Sequence, residues 1–208
     1  MHIVLTDVLA CPRCGPPFGL ILLADRVENR RVIEGVLGCA NCREKFPVRA
    51  GLGQLRVEFD DVEPIPVPPP ARDGGEEAVR IAALAGVADG PALLLLMGPA
   101  ARHAPALASL LENVEVTVAG GALDRWDEAS GVSRLEVGGR LPLHSGSLRA
   151  VVLSGEAANA LLDEGMRVVG RLGRLVLEPP PADAAERLAR SGFLPLARDD
   201  RTLVAARG

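Results

Sequence analysis

Four cysteines in two close pairs constrain this chain more than any other feature of its sequence. Cys11 and Cys14 form one Cys-x-x-Cys pair, and Cys39 and Cys42 form the second pair further along. A Cys-x-x-Cys turn places two thiolates on one side of a tight loop, and two such turns that meet across a hairpin give a tetrahedral four-sulfur site suited to Zn²⁺. The spacing therefore predicts a zinc site with these four cysteines as ligands.

Two other uses of four thiols remain open at this point. A redox dithiol would need a single pair beside a βαβ unit, and an iron–sulfur centre is also held by four cysteines. The paired spacing favours zinc over both. Since four thiolates leave no open coordination position, we expect the zinc to be structural and not catalytic. It would hold together a module too small to be stabilised by its own core alone.

The composition of the chain argues against some classes of function. The chain has 208 residues, a formal net charge of −4 and an aromatic content of 2%. Scarce aromatics and a negative charge argue against a base-stacking nucleic-acid platform, although basic residues in the cysteine module leave nucleic acid open as a weakly supported partner. No apolar run approaches the ~20 residues of a membrane span, and no signal peptide is visible. We expect a cytoplasmic protein without a membrane segment.

The chain divides into three blocks. Residues 1–55 contain every cysteine, and residues 76–208 alternate helical and strand patterns. Residues 56–75 between them form a predicted linker, acidic at first and then rich in proline, which favours extended geometry. The acidic residues of this linker are Glu58, Asp60, Asp61 and Glu63, and its prolines are Pro64, Pro66, Pro68, Pro69 and Pro70.

The third block predicts a mainly parallel sheet. Continuous apolar runs indicate strands buried on both faces, and helical periodicity appears between them. We predict strands over 92–97, 114–118, 132–137, 150–154 and 174–178, helices over 76–88, 105–111, 156–169 and 182–191, and a closing hairpin over 193–197 and 202–206. Alternating strands and helices imply βαβ units. The predicted fold class is therefore α/β: a small β-rich zinc ribbon followed by a compact doubly wound, Rossmann-like sheet.

The first block resembles a known family. Residues 5–14 read LTDVLACPRC, and residues 39–52 read CANCREKFPVRAGL. These segments are similar to the opening and closing motifs of the zinc-ribbon proteins that activate tRNA and protein methyltransferases. The match departs from that family at Gly53, where a proline is usual. The resemblance implies a module that binds and stabilises a methyltransferase domain and does no chemistry itself.

The third block resembles the class I S-adenosylmethionine-dependent methyltransferases. The stretches 139–152 (GRLPLHSGSLRAVV) and 164–176 (EGMRVVGRLGRLV), followed by Gly192-Phe193, resemble motifs of that family in the same order. The resemblance implies a cofactor site that is made by the turn after the first strand and by carboxylates that follow the second and third strands. At the corresponding positions this chain offers Gly98, Ala119, Gly120 and Glu136 as candidate cofactor-binding residues.

Most of the carboxylates that such a site needs are missing. Leu95 stands near the usual first acid, Pro99 removes a backbone donor from the turn, and Arg149 replaces an aspartate of the family motif. No acid follows the strand that ends at Val118. The pattern predicts a methyltransferase-like domain that keeps its fold and has lost ordinary cofactor binding and catalysis.

Two functions follow from these observations. The first is a non-catalytic accessory or binding protein that acts through protein contacts, its partner being a methyltransferase or another protein, or a second copy of itself. The alternative is a divergent active methyltransferase that binds S-adenosylmethionine through backbone groups. An active methyltransferase would have an open pocket at the carboxyl ends of the strands that finish near Leu96, Val118 and Leu153. The accessory function predicts that Leu, Met97 and Pro99 side chains fill this pocket, and that the ribbon exposes an apolar patch.

Overall fold

The computed structural model describes residues 1–57 and 62–208, so Glu58, Asp60 and Asp61 of the predicted linker lie outside the described residues. The strands are β1 (Ile21–Glu28), β2 (Arg31–Gly38), β3 (Lys45–Arg49), β4 (Leu52–Leu55), β5 (Asp89–Met97), β6 (Glu112–Gly120), β7 (Val132–Val137), β8 (Leu148–Ser154), β9 (Val169–Glu178), β10 (Phe193–Arg198) and β11 (Leu203–Arg207). The α-helices are α1 (Gly75–Ala85), α2 (Ala104–Leu110), α3 (Glu156–Ala160), α4 (Leu162–Val168) and α5 (Ala184–Arg190).

All of these strands form one mixed sheet in the order β1-β2-β3-β4-β7-β6-β5-β8-β9-β11-β10. The centre is parallel, from β4 through β7, β6, β5 and β8 to β9, and both ends are antiparallel. The predicted α/β class with a β-rich cysteine module and a Rossmann-like sheet is confirmed. The order around β5 reverses direction, as in doubly wound sheets.

The cysteine module is joined to this sheet through β4. On one side β4 pairs with β3 in antiparallel register, and on the other side it pairs in parallel with β7, Leu52 opposite Arg134 and Leu55 opposite Val137. The strands of the first block are therefore continuous with those of the third. The sequence pattern did not predict β4, because its four residues, Leu-Gly-Gln-Leu, are too few and too polar to show a period.

Two apolar cores lie on the two faces of the sheet. On one face α1 and α2 pack on a core that includes Ile81, Leu94 and Leu96. The core of the other face includes Leu9 and Phe46 of the cysteine module together with Leu95, Met97 and Leu153. Leu94, Leu95 and Leu96 are fully buried on alternate faces, as the continuous apolar run predicts. The cysteine module thus covers part of a sheet face that a helix would otherwise cover.

Some predicted elements differ in their bounds. The helix predicted over 156–169 is two short helices, α3 and α4, because Leu161 between them leaves helical geometry with φ −119°. The chain then enters β9 at Val169, five residues before the predicted start at Arg174. No helix within the described residues is long and apolar enough to cross a membrane.

Candidate metal centre and the carboxyl edge of the sheet

The four cysteines converge at one point of the module. Cys11 Sγ lies 3.7 Å from Cys42 Sγ, and Cys14 Sγ lies 3.9 Å from Cys39 Sγ. All four sulfur atoms lie within 4.8 Å of one another. A tetrahedral zinc ion with Zn–S bonds of about 2.3 Å requires a sulfur–sulfur spacing of about 3.8 Å. The cysteines are therefore positioned to bind a zinc ion.

Backbone hydrogen bonds close both Cys-x-x-Cys turns, which we call the knuckles. The Gly15 N–H donates to the Cys11 carbonyl at 2.7 Å, and the Arg43 N–H donates to the Cys39 carbonyl at 2.9 Å, which closes each tight turn. The Cys14 N–H also donates to Cys11 Sγ at 3.4 Å. Gly15 has φ +73°, the left-handed conformation in which a residue without Cβ is favoured. Burial raises the pKa of the Cys11 thiol to about 12, so a bound metal would have to displace that proton.

The first knuckle is tied directly to the loop between β7 and β8. The Ala10 N–H donates to the Pro142 carbonyl at 2.9 Å, and the His144 N–H donates to the Val8 carbonyl at 2.8 Å. Leu9 and Leu143 form an antiparallel bridge between these two bonds. The metal centre therefore holds a loop that belongs to the methyltransferase-like block.

Glu164 and Arg167 of α4 hold the same loop from its other side. The Glu164 carboxylate accepts from the Leu141 N–H at 2.8 Å, and Arg167 donates to the carbonyls of Leu141 and Leu143 and to Glu164. Burial by itself would raise the pKa of Glu164, but the hydrogen bonds from Arg167 and Leu141 outweigh it and hold that pKa below its ordinary value. Sequence reasoning missed this pair, whose only signal is the i,i+3 spacing of opposite charges.

The structure brings the four candidate cofactor-binding residues together. Gly98 directly follows β5, Ala119 and Gly120 end β6, and Glu136 lies near the end of β7. In register, Ala119 lies opposite Met97, and Gly120 lies opposite Glu136. They therefore share the carboxyl edge of the parallel sheet, where α/β proteins bind their ligands.

A segment of the predicted linker covers this edge. We call residues 62–71 the strap. The Gly121 N–H donates to the Ile65 carbonyl at 2.8 Å, and the Val67 N–H donates to the Gly121 carbonyl at 3.1 Å. A Cβ on Gly120 would lie 2.6 Å from both Ile65 O and Val67 Cγ2. The space that Gly120 leaves open is therefore occupied by the strap of the same chain.

The turn after β5 is closed by the end of β8. Ser154 Oγ donates to the Met97 carbonyl and accepts from the Ala100 N–H, both at 2.7 Å, and Ser154 is buried. A Cβ on Gly98 would collide with Ser154 O, so no side chain fits there. At Gly98 and at Gly120, atoms of Ser154 and of the strap fill the position that a Cβ would occupy, so neither glycine has open space on that side for S-adenosylmethionine.

His103, His144 and Glu156 lie in different surroundings. His103 Nδ1 is buried without a hydrogen-bond partner among the described residues, and burial lowers its pKa. His144 lies against Gly19 of the cysteine module. Glu156 begins α3 at the surface, as a helix start predicts.

Comparison with known proteins gives a match for the first block. A family model described as Trm112p-like protein matches residues 4–51, well short of half the chain. No curated protein matches the sequence.

Solved structures match the rest of the fold. A geranyl diphosphate methyltransferase in complex with SAM is 12% identical, with a TM-score of 0.50 over 64% of this chain and 85% of that chain. Precorrin-6y C5,15-methyltransferase from Geobacter metallireducens GS-15 is 13% identical, with a TM-score of 0.48 over 73% of this chain and 97% of that chain. At these identities the likeness shows the fold alone. Residues 4–51 are thus a Trm112p-like zinc-ribbon segment, and the block that follows has the Rossmann-like fold of S-adenosylmethionine-dependent methyltransferases.

Proposed function

We propose that this chain is a zinc-stabilised, non-catalytic methyltransferase-like protein that acts through protein contacts. In this proposal residues 1–55 are a ribbon whose zinc is held by the four cysteines, residues 56–75 are a linker, and residues 76–208 are a degenerate methyltransferase-like domain. The observation that carries the proposal is the strap, which pairs with Gly121 and fills the space beside Gly120. The protein would work in the cytoplasm, where paired thiols serve metals and not disulfides.

The chemistry of the carboxyl edge supports the same conclusion. β6 ends in Val-Ala-Gly and is followed by a second glycine, so no carboxylate is available there for ribose hydroxyls. A polar group buried without its hydrogen-bond partner costs about 1–3 kcal/mol, and each tenfold loss of affinity corresponds to about 1.4 kcal/mol. Loss of two or three such bonds would weaken cofactor binding by orders of magnitude. The contacts at this edge differ from the expectation, because Ser154 lies against Gly98 and the strap against Gly120, whereas Pro99 is exposed.

The ribbon's contacts indicate where a protein partner would bind. The edge of β4 is occupied within the chain by β7, so a separate methyltransferase would not have that edge available. On the ribbon's side the sheet ends at β1, whose Ile21, Leu23 and Val27 are 59%, 64% and 46% exposed. A sheet edge with exposed apolar side chains is a surface for strand addition. We therefore propose that β1 contacts the partner.

A thermal-shift titration with S-adenosylmethionine and S-adenosylhomocysteine tests the loss of cofactor binding. It compares the zinc-loaded native chain with a variant whose residues 62–71 are replaced by glycine and serine. A ligand at 100 times its Kd stabilises by about 2.7 kcal/mol, which would raise the melting temperature clearly. We expect no shift at millimolar ligand in either protein. A shift in the native chain would restore the active-enzyme alternative, and a shift in the variant alone would show that the strap, and not the lost carboxylates, blocks the site.

A further inference from the structure

A cavity of about 970 Å³ lies at the amino edge of the sheet, opposite the edge that the strap covers. Its floor is formed by the first residues of β5, β6 and β8, and its roof by the N-terminal segment and the β1–β2 turn. Residues 138–147, which connect β7 to β8, form no helix. Part of this sheet face is therefore covered by the ribbon, and the cavity lies between the ribbon's turn and the starts of the strands.

A buried ion pair fixes the roof to the floor. Arg31 of the turn donates to both carboxylate oxygens of Glu115 on β6, at 3.2 and 3.5 Å, and also to the Val132 carbonyl. Glu115 is 8% exposed and accepts a further hydrogen bond from Ser133 Oγ at 2.5 Å. Because each member of this network has partners, the cavity is preformed and does not depend on a ligand to order it.

The lining holds three arginines, Arg30, Arg31 and Arg149, and two carboxylates, Glu115 and Glu128, so its net charge is positive. Arg31 neutralises Glu115, and Glu128, the other carboxylate of the lining, interacts with Arg134. Arg30 and Arg149 also line the cavity, and neither has a carboxylate partner in the part of the chain that the structure describes. Among the described residues, the Arg149 guanidinium donates to the Leu172 carbonyl, an uncharged acceptor that does not neutralise it. An anion is the complementary ligand.

The remaining lining is aliphatic. Pro91, Leu93, Leu111 and Val114 form its apolar part, and the described lining holds no Phe, Tyr or Trp. A planar base would find only the His2 imidazole to stack on, whereas an alkyl body would bury its surface against the aliphatic side chains. The volume is that of a cavity for a drug-sized molecule.

We propose that this cavity binds an aliphatic anion, a carboxylate or phosphate head on an alkyl body, with Arg30 and Arg149 supplying the positive charge for the head and the aliphatic lining covering the alkyl body. The site lies at the edge of the sheet away from Gly98 and Gly120. Its occupancy is therefore independent of whether the chain binds S-adenosylmethionine.

Calorimetric titration of the zinc-loaded full chain with hexanoate, octanoate, decanoate and decyl phosphate tests the proposal, with decanol as the uncharged probe. We expect saturable binding that tightens about fourfold per added methylene, which corresponds to about 0.8 kcal/mol. Decanol should bind about tenfold more weakly, because it makes no charge-assisted hydrogen bond.

A matched pair of variants separates this site from nonspecific adsorption. Arg30→Ala/Arg149→Ala should weaken decanoate binding by about tenfold or more, and Arg30→Lys/Arg149→Lys should largely restore it. Arg102→Ala/Arg198→Ala removes the same charge from exposed positions outside the cavity lining and should leave binding unchanged. Absence of saturable binding by every alkyl anion, or equal affinity in the first variant and the native chain, would overturn the proposal.

Discussion

Gly120 shows at the scale of one residue how the chain closes its own carboxyl edge. Its φ is +147°, and a Cβ at this position would lie 2.6 Å from two atoms of the strap, so both the backbone and the space require glycine. In a dinucleotide-binding turn a glycine lets a ligand approach the backbone. Here it lets the strap approach, so the same residue type has a structural use. The sequence marks Gly120 as a candidate cofactor-binding residue, but it does not identify the strap that lies against it.

Gly120→Ala tests this packing. The new Cβ would collide with Ile65 O and Val67 Cγ2 and would adopt an unfavourable φ, so we expect a loss of about 1–3 kcal/mol in the free energy of unfolding. Gly75→Ala is the control, because its Cβ meets nothing within 4 Å and lies in the first turn of α1. Urea unfolding measures both. Equal stability of the native chain and Gly120→Ala would show that the strap does not pack on this residue.

Glu164 predicts a pH dependence. Its pKa is held below the ordinary value of 4.5, so its stabilising contribution is present above pH 4.5 and is lost as the pH falls through the lowered pKa. Glu164→Gln should therefore cost about 1–3 kcal/mol at pH 7, and the difference from the native chain should shrink below about pH 4.5.

Glu186→Gln is the matched control for that comparison. Glu186 is 73% exposed and, among the residues that the structure describes, pairs with Arg190 alone at 3.5 Å, so its loss should change stability little. Urea unfolding between pH 3 and pH 7 provides the measurement. A difference between native and Glu164→Gln chains that stays constant over this range would contradict the assigned ionisation.

At the scale of elements, the parts that the sequence predicts carry their own signals. The cysteine spacing predicts the knuckles, and apolar runs such as 92–97 predict the buried strands, because side-chain patterns determine both. β4 and the strap have no such pattern. β4 is a four-residue strand that includes a glycine, and the strap pairs through backbone groups of Ile65, Val67 and Gly121. Backbone pairing is independent of residue type, so these two elements escape sequence reasoning.

The exposed edge of β1 gives a prediction about partners. Leu23→Arg should abolish capture of a specific protein partner from a lysate of the source cells, because it places a charge at the centre of the apolar edge. Val79→Arg on α1 makes the same change at a residue that is 55% exposed and should leave capture intact.

Sedimentation of the purified protein identifies the partner as a second copy if the native chain dimerises and Leu23→Arg does not. If the native and Leu23→Arg chains capture the same proteins and have the same oligomeric state, β1 is not the contact surface.

At the scale of the whole molecule, the ribbon and the methyltransferase-like block share one sheet and one core. Leu9 and Phe46 of the ribbon belong to the same apolar cluster as Leu95 and Leu153. Sequence composition predicts two blocks and a linker because the prolines separate them. It cannot report that β4 and β7 pair, since the pairing depends on register between residues about 80 positions apart.

Zinc removal should therefore destabilise more than the ribbon. Binding energy at a four-thiolate site is folding energy, and the ribbon it orders supplies β4 and part of the core. With a zinc chelator we expect one cooperative transition at a lower temperature by circular dichroism, reversed by added zinc. Cys39→Ser should lower the transition likewise and should then be insensitive to the chelator. If the helical circular dichroism signal is lost at the same temperature with and without zinc, the ribbon and the rest of the fold are not coupled in this way.

In the proposed function, the carboxyl edge of this sheet takes no cofactor. Isothermal titration calorimetry of the zinc-loaded native chain with S-adenosylmethionine and with S-adenosylhomocysteine tests it most directly. The strap, the closed turn at Gly98 and the missing carboxylates predict no saturable heat with either ligand at millimolar concentration. A micromolar Kd for either ligand would contradict this prediction and would restore the alternative of a divergent active methyltransferase.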